Sequence, residues 1–149
     1  MMLGLGTEGN VPRPNFSGTW IFNAGRSVLQ TPAPDSTLFV IEHDEPRLRI
    51  RRTHVAGDSR DTFTLDLTTD GQEVSLERDG MELQARAFWE NDTLVFDTTV
   101  VRDGEEGSNL VRYTLAPDLN SLVAVERFRS DSLNYDNTWA LDRSPERGS

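Results

Sequence analysis

Arg52, His54, Tyr113, Glu126, Tyr135 and Asn137 each fall in phase with a row of apolar neighbours. Arg52 and His54 follow Leu48 and Ile50 in "RLRIRRTHV". Tyr113 lies between Val111 and Leu115 in "NLVRYTLA", and Glu126 between Ala124 and Phe128 in "SLVAVERFR". Tyr135 and Asn137 precede Trp139 in "NYDNTWALDR". Successive side chains of a strand point to opposite faces, so each row shares one face. A polar group on an otherwise apolar face is costly unless something meets it. These positions therefore mark where chemistry could sit. Trp89, at the end of the row Met81, Leu83, Ala85, Ala87, adds an aromatic, as do Phe128 and Trp139. Aliphatic and aromatic walls with a few polar points make up a small-molecule pocket. The predicted ligand-binding set is Arg52, His54, Trp89, Tyr113, Glu126, Phe128, Tyr135, Asn137 and Trp139. A catalytic alternative uses two of them. His54 and Glu126 would form an acid–base pair, with Arg52 or a tyrosine holding an oxyanion, in an isomerase, cyclase or lyase that needs no cofactor.

The same residues admit plainer readings. His54 lies near the Ala56-Gly57 turn and would then sit exposed at a rim. Arg52 and Glu126 would form a structural ion pair. A register slip of one residue would turn any of them outward. His43, at the end of "TLFVIEH", is expected to be solvated. Arg47, Arg49 and Arg51 read as an outer face paired with cross-strand acids. "RDGEEGSN" (102–109) lacks the ligand spacing of a calcium site and reads as a loop.

Composition narrows the chemistry. The net charge of -10 argues against nucleic acid as a partner. There is no cysteine, hence no disulfide, thiolate nucleophile or cysteine-held zinc. All 15 basic residues are arginine, which removes a Schiff-base or lysine-base mechanism. The only histidines are His43 and His54, too few for a three-histidine zinc site. Either could serve as an axial haem ligand, but nothing selects haem, and no metal or cofactor is expected. No Gly-x-Ser-x-Gly, P-loop or dinucleotide fingerprint occurs. No apolar run approaches the roughly 20 residues of a membrane span. The lead "MMLGLGTEGNVPRPN" is too short and polar for a signal peptide, so the chain reads as cytoplasmic, or as exported with its signal removed. The 149 residues fit one domain, expected over 15–143, with a flexible arm at 1–14 and a tail at 144–149.

The elements that must position these residues are strands. From residue 15 onward the hydrophobic pattern has period two. Asp70-Gly71, Asp79-Gly80 and Asp103-Gly104 punctuate it, and Asp-Gly between alternating runs signals a type I′ hairpin. About ten strands joined by short turns form an antiparallel meander. Closing that meander removes exposed edges and encloses a cavity. The expected fold is an all-β, antiparallel up-and-down β-barrel of about 8–10 strands; a β-sandwich is the alternative. Residues 24–36, with two prolines and no helical period, link the first two strands as a lid or as a simple cover for the rim.

The first strand carries a further signal. In "NFSGTWIFN" the residues Phe16, Gly18, Trp20 and Phe22 share a face, and the glycine leaves room for the indole. Gly18-Thr19-Trp20 resembles the Gly-x-Trp signature of lipocalins, within the calycin group of ligand-binding barrels. The resemblance implies that Trp20 packs at the barrel base beneath an arginine from near its end. The matching position is Arg143, in phase with Trp139 and Leu141. Such a cation–π contact is worth about 1–2 kcal/mol. Gly18, Trp20 and Arg143 would thus close the barrel rather than bind a ligand. The pattern departs from lipocalins in having no cysteines, no helix after the last strand and more than eight strands. The strand count is nearer to fatty-acid-binding barrels, whose helical lid is missing. The chain is best described as calycin-like, and it is also similar to bacterial lipocalin-like proteins. The implied partner is a small hydrophobic or amphipathic molecule.

Overall fold

A computed structural model describes residues 13–145. Ten antiparallel strands follow one another: β1 (Gly18–Phe22), β2 (Ser36–Asp44), β3 (Arg47–Ala56), β4 (Ser59–Thr68), β5 (Val74–Arg78), β6 (Met81–Glu90), β7 (Thr93–Arg102), β8 (Glu105–Leu115), β9 (Ser121–Ser130) and β10 (Asn134–Arg143). Apart from one 3₁₀ turn at Ala24–Arg26, the described residues hold no helix. Of the expected arm and tail, only residues 13–14 and 144–145 fall within the described residues.

The up-and-down barrel read from the periodicity is what the chain forms. The strands run in the order β4-β3-β2-β1-β10-β9-β8-β7-β6-β5, so β1 and β10 join the two ends of the chain. Two of the three Asp-Gly pairs form the expected hairpins, whereas Asp70-Gly71 does not: Asp70 lacks a positive φ, and the strands on either side of it do not pair. Asp79 and Gly80 have φ of 51° and 79°, and Asp103 and Gly104 have 52° and 80°. Closure is not complete, however. β4 and β5 are the two ends of the sheet and make no ladder with each other. After β4 the chain crosses to β6, where Gly71 N–H donates to the Ala87 carbonyl. Side chains close the seam instead. Arg78 of β5 donates to Asp61 of β4, and its guanidinium lies 4.3 Å from the Phe63 ring centre.

"RDGEEGSN" is not a loop, contrary to its composition. Only Asp103-Gly104 forms a turn, and Glu105–Leu115 is one continuous strand. Glu106 faces outward; Glu105 shares the inward phase of Gly107, Asn109, Val111 and Tyr113 but sits at the first position of β8, where it accepts from Ser132 N–H and Oγ. Gly107 is required in that row: a Cβ would come within 2.7 Å of the Phe128 ring.

The barrel has two unlike ends. At one end the turns 45–46, 91–92 and 116–120 gather, and Phe16, Trp20, Leu94, Leu122 and Leu141 fill the interior with no exposed surface. Arg143 lies 4.4 Å from the Trp20 ring centre, as the resemblance implied. Its Nε donates to the Leu119 carbonyl and Nη1 to that of Ser17. Gly18 makes room chiefly for the guanidinium, not the indole. A Cβ there would lie 2.6 Å from Arg143 Nη1 and 3.7 Å from Trp20 Nε1, and the φ of +140° itself favours glycine. At the other end lie the turns 57–58, 79–80, 103–104 and 131–133, together with the linker between β1 and β2.

Candidate functional site

The interior towards this second end is not filled. A cavity of about 480 Å³ opens there, bounded by nine strands and by Thr31 of the linker. Its floor is Phe39, Ile50, Ala85, Phe96 and Ala124. The two alanines, inward-facing on β6 and β9, leave the space that larger side chains would occupy. Nearer the mouth the wall is Phe63, Met81, Phe128, Leu133, Tyr135 and Trp139. Phe128 and Tyr135 stack across β9 and β10 with ring centres 5.2 Å apart.

Arg52, His54, Tyr113, Glu126, Phe128, Tyr135, Asn137 and Trp139 all border this one cavity. Trp89 does not. It lies at the filled end, clustered with Phe16 and His43, with Nε1 donating to Glu45 Oε2 at 2.7 Å. Being in phase with the inward row of β6 was enough to turn it inside, but the strand's height along the barrel decides which end it serves. His43 is a second departure. In phase with Phe39 and Ile41, it is buried, accepts from Phe16 N–H at 3.1 Å, and leaves Nε2 without a hydrogen bond. The expected basic stripe behaves as an outer face at Arg49, which pairs with Asp66 on β4 at 2.7 Å.

The polar groups of the cavity divide into an engaged set and a spare set. Glu126 is engaged. Its Oε1 accepts from Trp139 Nε1 at 2.9 Å and Asn137 Nδ2 at 3.1 Å, and its Oε2 accepts from Asn109 Nδ2 at 3.2 Å. Three N–H donors thus fix the carboxylate, and none belongs to Arg52 or His54. The structural Arg52–Glu126 ion pair is absent from the structure. Asn137 extends the network to the linker by accepting from Gln30 N–H at 2.7 Å and donating to Thr31 Oγ1 at 3.0 Å. The backbone of Val28 also bonds Thr138 in both directions, and Asp136 N–H donates to Gln30 Oε1 at 2.6 Å. Residues 27–31 are therefore fastened along β10 and cover the rim.

Arg52 is spare. Its guanidinium lies 5.2 Å from the Phe63 ring centre, with no hydrogen bond or carboxylate partner among the described residues. His54 Nδ1 is 2.7 Å from Thr37 Oγ1, and its ring meets Trp139 at 5.8 Å. Burial first, then the Arg52 cation, holds His54 below its ordinary value, which keeps the imidazole neutral. Burial raises both cavity tyrosines, Tyr135 to about 12 and Tyr113 further, so both remain hydroxyl donors.

Three lining residues carry signals that sequence phase alone could have found. Phe63 heads the row with Leu65 and Leu67. Arg78 is in phase with Val74 and Leu76. Asn109 is in phase with Val111 and Tyr113. Two of the three were hidden by local composition, Arg78 beside a turn and Asn109 within an acidic, glycine-bearing run.

No protein-family model matches the chain, and no curated protein does. Solved structures do. Secretory abundant heat soluble protein 4 from Ramazzottius varieornatus is 16% identical, covering 88% of this chain and 96% of that one, with a TM-score of 0.56. Human cRBP IV is 13% identical over 88% and 99% of the two chains, with a TM-score of 0.56. Zebrafish ileal bile acid-binding protein, complexed with cholic acid, is 12% identical over 87% and 98%, with a TM-score of 0.57. At these identities the likeness is one of fold: a nearly closed, ten-stranded antiparallel β-barrel.

Proposed function

We propose that the protein binds a small, largely apolar molecule with a polar end inside the barrel. The observation that carries this reading is the cavity itself: about 480 Å³ of interior space, mainly aliphatic and aromatic at the floor, with polar groups among its lining residues. A barrel that served only as a structural module would fill that space with side chains, as the other end does. The neighbouring folds add support, since one of them is named for binding bile acids and is complexed with cholic acid.

The catalytic alternative has less to stand on. His54 and Glu126 share the cavity, yet no hydrogen bond joins them, and both oxygens of Glu126 are occupied by other donors. His54→Ala and Glu126→Gln would each abolish turnover of a true substrate. A carrier would show altered affinity and no turnover in any form.

Native mass spectrometry of freshly purified protein, followed by denaturing extraction, tests the binding reading. A bound small molecule released on denaturation is the expected result. Failure of every apolar probe to bind, with the cavity closed in a high-resolution crystal structure, would sink it.

A further inference from the structure

The spare polar groups of the cavity describe what the ligand must carry. Two guanidiniums meet the ring of Phe63, from Arg78 at 4.3 Å and Arg52 at 5.2 Å. They are not equivalent. Arg78 is neutralised by Asp61 across the seam and lies 3.7 Å from Asp79. Arg52, turned inward from β3, has no such partner among the described residues. The one carboxylate bordering the cavity, Glu126, is turned to Trp139, Asn137 and Asn109 instead. A partly buried cation with no carboxylate in contact is costly, and an incoming anion would relieve that cost.

A second group points the same way by a different route. Asn109 gives one N–H to Glu126, but its Oδ1 is buried with no donor to meet it. An unmet buried acceptor carries the full desolvation penalty. The Tyr113 and Tyr135 hydroxyls also make no hydrogen bond among the described residues. A plain hydrocarbon would satisfy none of these groups. A simple fatty acid would satisfy Arg52 and leave Asn109 as it is.

Resting on the carrier reading above, we infer that the ligand is an amphipathic acid with two polar features. Its anionic group pairs with Arg52, and an N–H or O–H on its body donates to Asn109 Oδ1. N-acylated amino acids and hydroxylated apolar acids belong to this class; alcohols, amines and bare alkyl chains do not.

Isothermal titration of the wild-type protein with four probes of one chain length tests both features: dodecan-1-ol, dodecanoate, N-dodecanoylglycine and N-dodecanoylsarcosine, whose amide has no N–H. Dodecanoate should bind about tenfold tighter than the alcohol. N-dodecanoylglycine should exceed the sarcosine analogue by about fivefold. In Arg52→Met the acid-to-alcohol ratio should fall towards one, and in Asn109→Ala so should the glycine-to-sarcosine ratio. Equal affinity of alcohol and acid in the wild type would overturn the anionic feature while leaving the carrier reading intact. Equal affinity of the glycine and sarcosine probes would overturn the donor feature alone. If no probe binds, the carrier reading fails and takes this inference with it.

Discussion

The two ends of the barrel spend their polar groups differently. At the filled end nearly every buried polar atom is met. Trp20 Nε1 donates to the Phe16 carbonyl at 2.9 Å, Arg143 caps two carbonyls while lying over the indole, and Trp89 donates to Glu45. His43 Nε2 is the exception, and Glu45 Oε2 lies 3.6 Å from it. In the cavity the order is reversed. Glu126 is fully engaged, but a cation, an amide oxygen and two phenols are left over. Local rules of packing and polar satisfaction hold where the molecule is built for stability, and relax where something else is meant to complete them. Substitutions at the two ends should therefore move stability in opposite directions.

The largest effect is expected at Trp20. It is the bulkiest side chain with no exposed surface, and Phe16, Gly18 and Arg143 are arranged about it. Trp20→Ala would leave a cavity and strip the guanidinium of its ring. A loss of about 3–5 kcal/mol is expected in urea unfolding. A loss below about 1 kcal/mol would mean that the filled end is not where the barrel is fastened.

Much of this contrast was legible in the residue pattern, and the reasons are physical. Period-two alternation and Asp-Gly turns are local properties, so strand number, hairpin order and the inward rows follow from them. Arg52, His54, Glu126, Tyr135 and Asn137 reach one cavity because they lie in the mouthward half of their strands, and Tyr113, near the far end of β8, joins its floor beside Phe39 and Phe96. Phase alone does not report height along the barrel, which is why Trp89 and His43 belong to the other end. Nor does it show which polar atoms find partners. Glu126 meets Trp139 and Asn137 through the register of β9 against β10, a pairing that no single strand contains. The open seam between β4 and β5 is likewise a property of closure, invisible to any hairpin taken alone.

A smaller effect of opposite sign is expected at Arg52. Replacing an unpaired, partly buried guanidinium by methionine removes a desolvated charge and keeps the apolar stem against Phe63. Without ligand, Arg52→Met should raise stability by about 0.5–1 kcal/mol in the same unfolding assay. A clear loss would show that Arg52 is fastened in solution by a partner, and the contrast between the two ends would weaken.

The smallest effect is a pH slope set by His54. Burial and Arg52 lower its pKa, Arg78 adds to this, and Asp61 and Glu126 oppose them. The folded state therefore resists protonation more than the unfolded chain does. Stability on this account is full above the ordinary histidine value of about 6.5, declines as pH falls through it, and levels off below the folded pKa. His54→Phe should flatten that decline when melting temperatures are compared across the window. His43 is common to both proteins and drops out of the difference. Parallel curves would mean that the imidazole is solvated rather than held against Trp139. The slope also answers to the ligand. An anion seated at Arg52 would offset one of the charges that depress His54, so a bound amphipathic acid should raise its pKa and be taken up with a fraction of a proton below the ordinary histidine value of about 6.5. Titration in buffers of different ionisation enthalpy measures that uptake directly. Its absence in a protein that does bind the acid would place the anionic group away from Arg52.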